Sequence, residues 1–404
     1  MTTMLSDRLR TALELAADDQ IIFDLGGIEA AYSLLTSELP ELAIRFAIKA
    51  CPVDDVLATL ARRGSGFDAA SPNEIVQALA TGVAPDEIHY GNTVKSDRNI
   101  AEAYRLGIRD FATDSVPDVV GIAASAPGSR VFCRLGTTGE GALWGLNRKA
   151  GCSVRDALIV MSIARAQGLV PSGLSVHVGS QQMTSAAWQD AFDQLAFAMT
   201  ELADVGIQIN RINLGGGLPA LGYLDRAGTS LEPSMAELFD TIRTGMKRLQ
   251  EIAGSTVEFI MEPGRHLVAD HAAIRAHVVR LTSREQPDGE REQWLYLSCG
   301  KFNGLYEVDQ VRYRMVFPTH PEGLRVPAVV AGPTCDSDDV FGQEPTPARV
   351  PEAIVSGDPV WILSCGAYST SYTTQQFNGF EPLPVTVLPE ETHAAEIHAV
   401  EIHA

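Results

Sequence analysis

The stretch Arg45-Phe46-Ala47-Ile48-Lys49-Ala50 reads as a short apolar strand that ends on a lone lysine. Seven runs of similar texture follow: Gly66 to Ala70, Glu87 to Gly91, Arg109 to Asp114, Arg130 to Gly136, Gly173 to Gly179, Arg211 to Gly216 and Thr256 to Glu262. Segments with helical apolar spacing separate them. Eight strands alternating with helices over about 220 residues predict a (β/α)8 TIM barrel, because an open doubly wound sheet holds fewer strands in such a span. In such barrels chemistry gathers at the C-terminal ends of the strands. Lys49, Asp68, Asn92, Asp114, Arg134, His177, the Gly215-Gly216-Gly217 run and Glu262 all fall at or just after a run's end.

After about residue 270 the texture changes to Val/Ile/Leu/Tyr-rich segments punctuated by Pro and Gly, at Ala273 to Leu281, Gln293 to Ser298, Val326 to Ala331 and Pro359 to Ser364. That pattern predicts a C-terminal β-rich domain, a sandwich or barrel. Gln20 to Leu25 is also strand-like and precedes the barrel pattern, so the N-terminal residues are expected to add a strand to this second domain. The expected division is a barrel over 28–270, a β-rich domain from 1–27 and 271–390, and a flexible tail at 391–404, where Glu-Ile-His-Ala occurs twice.

The chain has 404 residues, 45% of them hydrophobic, enough to bury at least one large core. Lys plus Arg number 31 against 51 Asp plus Glu, a net charge of -20, which argues against binding a phosphate backbone or an anionic membrane surface. No apolar run reaches the roughly 18 residues of a membrane span, and Met1-Thr2-Thr3-Met4-Leu5-Ser6-Asp7 lacks the basic-then-apolar pattern of a leader. A cytoplasmic protein without nucleic-acid or membrane partners is the expectation. The six cysteines (Cys51, Cys133, Cys152, Cys299, Cys335, Cys365) form no CxxC pair and no zinc-type spacing, so neither a disulfide framework nor a structural metal is expected.

Five places carry candidate chemistry. Lys49 would emerge at the barrel mouth, where partial desolvation can lower its pKa and ready it to form an imine with an aldehyde; the plain alternative is a surface lysine at a strand end. Asn213-Leu214-Gly215-Gly216-Gly217-Leu218-Pro219 clears side chains where a strand hands over to a helix, which lets backbone N–H groups approach an anion, although a tight turn needs no more. Met261-Glu262-Pro263-Gly264-Arg265 ends a strand on an acid, with an arginine three residues on, suited to a ring nitrogen and a phosphate or simply to an ion pair. His177 alternates with apolar neighbours in Ser175-Val176-His177-Val178-Gly179-Ser180-Gln181, so it could stack on a flat ring or be a hydrogen-bonded core residue. Far downstream, Gly332-Pro333-Thr334-Cys335-Asp336-Ser337-Asp338-Asp339 presents a thiol beside carboxylates, and with Lys49 it looks like one half of a split active site.

The order of these motifs resembles the fold type III pyridoxal-phosphate decarboxylases, the ornithine, lysine, arginine and diaminopimelate decarboxylase family. The resemblance spans nearly the whole chain: Phe-Ala-Ile-Lys-Ala at 46–50, Phe-Asp-Ala-Ala-Ser at 67–71, Gly-Asn-Thr-Val-Lys at 91–95, His-Val-Gly-Ser-Gln at 177–181, Gly-Gly-Gly at 215–217, Glu-Pro-Gly-Arg at 262–265, Gly-Pro-Thr-Cys-Asp at 332–336, Gly-Ala-Tyr at 366–368 and Phe-Asn-Gly-Phe at 377–380. Gly-Pro-Thr-Cys-Asp and Phe-Asn-Gly-Phe are most similar to the ornithine/lysine branch. The resemblance implies an alanine-racemase-type barrel, the cofactor pyridoxal 5'-phosphate and a small-molecule amino-acid substrate, in amino-acid metabolism leading to polyamines.

By the same resemblance Lys49 would hold the cofactor as an imine, His177 would stack on its ring and Glu262 would pair with the pyridine nitrogen. Ser180, Gly215, Gly216, Gly217, Gly264, Arg265 and Tyr368 would surround the phosphate, with Asp68 also at the cofactor. A carboxylate at the ring nitrogen favours decarboxylation, whereas racemases of this fold present an arginine there. Cys335 would return a proton to the α-carbon, and Asp336 would face the substrate's far end. Both would come from the neighbouring subunit of a homodimer with shared sites, in which Lys149 and Asp339 match a family ion pair. Where the ornithine/lysine branch carries a second acid the chain reads Leu297-Ser298-Cys299-Gly300, which places Cys299, with Phe377, at the far end of the substrate. Either Asp338 substitutes for that acid or the substrate's far end differs. A racemase or other α-carbon reaction on the same scaffold, and a catalytically inactive regulatory homologue, are the competing readings.

Overall fold

The computed structural model describes residues 5–146, 149–342 and 346–390. The flexible tail expected at 391–404 lies outside them. The first strand, β1 (Gln20–Asp24), stands apart from the run that follows: β2 (Leu42–Ala47), β3 (Gly66–Ala69), β4 (Ile88–Tyr90), β5 (Asp110–Thr113) and β6 (Arg130–Arg134). A short hairpin partner β7 (Ala142–Trp144) precedes β8 (Val170–Ser175), and its mate β9 (Ser180–Gln182) precedes β10 (Arg211–Asn213) and β11 (Glu258–Met261). β2, β3, β4, β5, β6, β8, β10 and β11 close into a parallel barrel, β11 pairing back onto β2 through Met261 and Ile44. All eight expected runs contribute a barrel strand.

Both faces of these strands are covered, one by neighbouring helices and one by the barrel interior, which is why they read as near-continuous apolar runs. On β4, Ile88 and Tyr90 are buried in the main apolar core, and His89 between them points the other way. The helices are capped locally: Ser71, Ser96 and Ser153 each accept a backbone N–H from the third residue on, with Pro72 in the first turn of its helix.

The barrel floor is polar. Arg45, past the middle of β2, is buried together with Asp110 and Arg211, which begin β5 and β10, with Arg211 donating to Asp110 and, at 2.7 Å, to Glu258. Charges at such depth persist only when paired.

The remaining strands are β12 (Ala272–Glu285), β13 (Arg291–Leu297), β14 (Met315–Val316), β15 (Arg325–Ala331), β16 (Val340–Phe341), β17 (Ala348–Pro351), β18 (Pro359–Leu363) and β19 (Val385–Leu388). They form one sheet in the order β14-β18-β12-β13-β15-β16, with β17 on β15. β1 joins it, antiparallel to β12 (Phe23 opposite Ala272) and parallel to β19.

Candidate active site

The ends of the barrel strands and one loop of the sheet domain enclose a cavity of 270 Å³, lined among others by Lys49, Asp68, Arg134, His177, Ser180, Gly216, Gly217, Glu262, Gly264, Arg265 and Tyr368. Strand β2 stops at Ala47, and Lys49 sits on the turn of 3-10 helix Ile48–Ala50 that follows. That turn is pinned from the second domain: Tyr368 N–H donates to Ala50 O at 2.7 Å and Ser371 Oγ to Lys49 O at 2.8 Å. Tyr368 has φ 64°, a left-handed conformation rare for a bulky residue and typical of sites that hold a side chain in place against local preference.

Lys49 Nζ lies 3.0 Å from Asp68 Oδ2. The expectation that desolvation would lower the lysine is overturned: its side chain is still half exposed at the cavity mouth, and attraction by Asp68 outweighs desolvation and holds Lys49 above its ordinary value. The register of β3 and β4 sets Asp68 opposite His89. His89 is fully buried, with Nε2 2.7 Å from Glu262 Oε1 and 3.3 Å from Asp68 Oδ1. Asn213 Nδ2 donates to the same Glu262 oxygen. Burial by itself would raise both carboxyls, yet Lys49 and His89 keep Asp68 below the usual carboxylate range, and His89 does the same for Glu262.

His177 lies beyond the end of β8, in the loop that leads to β9, so its position owes nothing to strand alternation. Burial and the nearby Arg134 and Lys49 push it down to about 4, which leaves a neutral flat ring at neutral pH. Between about pH 4 and pH 6.5 the unfolded chain therefore binds a proton at this residue that the folded chain does not. Stability falls as pH falls through that window, by at most about 3 kcal/mol from this residue. Thermal melts between pH 7 and pH 4 are expected to show a shallower loss in His177→Gln than in the wild type; equal slopes would contradict the assignment.

The glycine run is required by the backbone. Gly215 (φ 65°) and Gly217 (φ 121°) are left-handed, and a Cβ on either would fall 2.3 Å from Val176 O or 2.7 Å from Val178 Cγ2. Beside them Arg265 is buried, its Nε 3.3 Å from Ser180 Oγ, its guanidinium over the rings of Trp144 (4.2 Å) and Tyr368 (4.8 Å). It is not free for an anion alone: Glu307 takes both terminal nitrogens at 2.5 and 2.6 Å, and Tyr223 a third contact at 3.1 Å.

Several expected residues stand elsewhere. Asn92 caps its own loop by accepting from Val94 N, and Asp114 accepts from Gly151 N, and neither lines the cavity. Cys299 is a correction: it is fully buried in the core with Leu295 and Leu297, where burial raises its thiol well above the ordinary value, so it does not reach a substrate. Asp338 is also no spare acid, because it shares Lys301 Nζ with Asp309 at 2.8 and 2.6 Å. Asp339 is buried and accepts from Lys301 N and from Thr334. Cys335 and Asp336 are exposed and do not line the cavity of their own chain; Cys335 N–H donates to Asn378 Oδ1 beside Phe377, which packs on Phe302 at 4.9 Å. His89, Asn213 and Glu307 were missed. For His89 a signal existed, since a polar residue between two core residues of a barrel strand must face the interior.

Residues 25–269 match the family described as pyridoxal-dependent decarboxylase, pyridoxal binding domain. The chain belongs to the pyridoxal-dependent decarboxylases. It is 28% identical over 379 residues to the lysine/ornithine decarboxylase of Selenomonas ruminantium, covering 93% of this chain and 91% of that one. The crystal structure of a Vibrio vulnificus lysine/ornithine decarboxylase complexed with cadaverine superposes with a TM-score of 0.82 at 26% identity, covering 96% of this chain and 100% of the other. Antizyme inhibitor 2 of Xenopus laevis is also similar, at 25% over 91% of this chain and 80% of its own length. The decarboxylase is thus an α/β barrel enzyme of the ornithine/lysine branch, and its cofactor is pyridoxal phosphate. No helix among the described residues is long and apolar enough to cross a membrane.

The residues fit that cofactor. The cavity lining combines donors for a phosphate, at Ser180, the glycine run and Arg265, with the carboxylates of Asp68 and Glu262, and Lys49 stands beside Asp68. On the cavity wall Asp68 Oδ1 is buried without an aligned hydrogen-bond partner, a polar atom of the kind a bound polar ring would organise.

Proposed function

We propose that this decarboxylase removes CO2 from an amino acid of the ornithine/lysine kind, or a modified basic amino acid, yielding the amine at a site completed by a second copy of the chain. The observation that carries the reading is the grouping of Lys49 with the carboxylates of Asp68 and Glu262 in one enclosed cavity. Bound there, pyridoxal phosphate supplies a sink for the electron pair left when CO2 departs. Lys49, 3.0 Å from Asp68, would be the residue that holds it covalently. Glu262, ionised, holds a proton on the ring nitrogen; an arginine in that place would not. His177, neutral, covers a face of the ring, and Ser180, Gly216, Gly217, Gly264, Arg265 and Tyr368 hold the phosphate and exclude water from it.

Cys335 and Asp336 are exposed beside one another on a loop that serves no purpose in its own cavity. Presented to a second copy, Cys335 delivers a proton to the α-carbon and Asp336 meets the substrate's far end. With Asp338 committed to Lys301 and Cys299 buried, Asp336 is what remains of the acids expected at a distal ammonium, which favours a far end that needs one carboxylate partner and not two.

Cys335→Ala is expected to retain bound cofactor and lose about a hundredfold in turnover, the usual scale for a removed general acid. Equal mixing of Lys49→Ala and Cys335→Ala chains should then restore roughly a quarter of wild-type activity, because half of the dimers are mixed and each carries one intact site. No recovery on mixing, with both variants folded, would contradict the shared site. The likeness to an antizyme inhibitor favours a second reading, an inactive regulator; Lys49, Glu262 and Cys335 argue against it.

A further inference from the structure

His89 has two sides, and the chain dictates what each does. Toward the cavity its Nε2 approaches Glu262 Oε1 at 2.7 Å and Asp68 Oδ1 at 3.3 Å, in line with neither, so one nitrogen serves two carboxylates. Toward the barrel floor its Nδ1 lies 3.0 Å from Arg45 Nη1. A guanidinium can only donate, so Nδ1 must accept, and the ring's single proton sits on Nε2. Asp68 and Glu262 pull the ring above its ordinary value, against burial and Arg45, yet a second proton would have to occupy Nδ1, 3.0 Å from a guanidinium that can only donate, and this contact decides for the singly protonated ring. Arg45 itself cannot turn away: it is buried, donates to Asp86 O at 3.0 Å and lies 3.5 Å from Asp110, which Arg211 also holds.

On Glu262, both protein groups converge on Oε1: Asn213 Nδ2 donates to it and His89 Nε2 approaches it at 2.7 Å. Among the described residues the other oxygen has no such donor, and it is the one available to a ring nitrogen. Without the N–H of His89, Asp68 and Glu262 would face each other in a buried site, and repulsion together with burial would drive one of them to take up a proton.

We propose that His89, oriented by Arg45, is a positioning residue that keeps Glu262 ionised and turned toward the pyridine nitrogen. This rests on the decarboxylase reading above, with Glu262 at that nitrogen. His89 acts through Glu262 and touches no reacting atom.

The test uses the full-length protein loaded with 15N-labelled pyridoxal phosphate. The nitrogen chemical shift reports directly whether the ring nitrogen is protonated, which a merely structural role would not move. In the wild type it is expected to be protonated. His89→Phe keeps the contact with Phe132, now 5.2 Å between ring centroids, and removes both nitrogens. Its ring nitrogen is expected to shift toward the deprotonated value, with kcat down about tenfold to a hundredfold, the scale on which partners that orient a ligand act, and KM nearly unchanged. His89→Leu is expected to do the same should Phe strain the barrel floor. His89→Gln carries a neutral donor and an acceptor like the assigned tautomer, and should restore most of the rate and the protonated shift.

Phe and Leu variants with a wild-type nitrogen shift and a rate within twofold would overturn the proposal. A Gln variant as poor as Phe would overturn the neutral-donor assignment. A wild-type protein that took up no cofactor would instead contradict the decarboxylase reading, and this inference with it.

Discussion

Lys49→Ala is expected to abolish the visible absorbance of the lysine-linked cofactor and to lower CO2 release by at least about a thousandfold. The effect has two parts. The nitrogen that attaches the cofactor is lost, and so is the cation 3.0 Å from Asp68. Removing that cation leaves Asp68 and Glu262 with His89 alone between them, so their carboxyls should rise from the depressed values they hold. Lys49→Arg separates the parts, since arginine supplies the charge and cannot form the covalent link. It is expected to be as inactive as alanine while melting closer to the wild type. Retained absorbance and turnover in Lys49→Ala would remove the lysine from the chemistry altogether.

The second large effect is expected at Glu262. Glu262→Gln keeps the side chain's volume and can still meet Asn213 and His89, but it carries no charge to hold a proton on the ring nitrogen. The cofactor should remain bound through Lys49 and the phosphate donors. CO2 release is expected to fall about a hundredfold to a thousandfold, the range for removing one preorganised electrostatic partner. The loss should lie in kcat and kcat/KM together, because the interaction gains strength only as charge develops. A Gln variant within a few fold of the wild type would show that the ring nitrogen's protonation is not what drives the reaction.

Much of this is legible in the sequence, and the reasons are physical. Eight short apolar runs alternating with helical segments have few other ways to bury both faces, so the barrel followed from local periodicity. The limits of those runs were less legible: Ile48–Ala50 continues the apolar texture of β2 yet turns into a 3-10 helix, and Val176 to Gly179 leaves β8 as loop. Local texture could place β1 with the later strands, but not its pairing with β12, some 250 residues on, which depends on contacts no window along the chain contains.

At the site, motifs with a glycine or proline signature were the legible ones, since backbone geometry restricts what can stand there. Residues whose role depends on a partner across the barrel were not. His89 looks like a core histidine until Asp68, Glu262 and Arg45 are set around it. Glu307 looks like a surface acid until it grips Arg265. The Lys49 expectation failed for the same reason: desolvation at the barrel mouth could be foreseen from the strand, but the attraction of Asp68 that outweighs it could not. Cys299 was assigned by its place in a motif, and the sheet's packing puts that place in the core.

The most direct measurement is CO2 release, with the amine quantified alongside, from the purified protein loaded with pyridoxal phosphate and offered basic and acidic amino acids of both hands. The expected result is a visible lysine-linked absorbance band, with CO2 and amine formed one for one from a basic amino acid or a modified form of one. A protein that binds the cofactor but releases no CO2 from any of them, while erasing the optical rotation of one, would contradict the account.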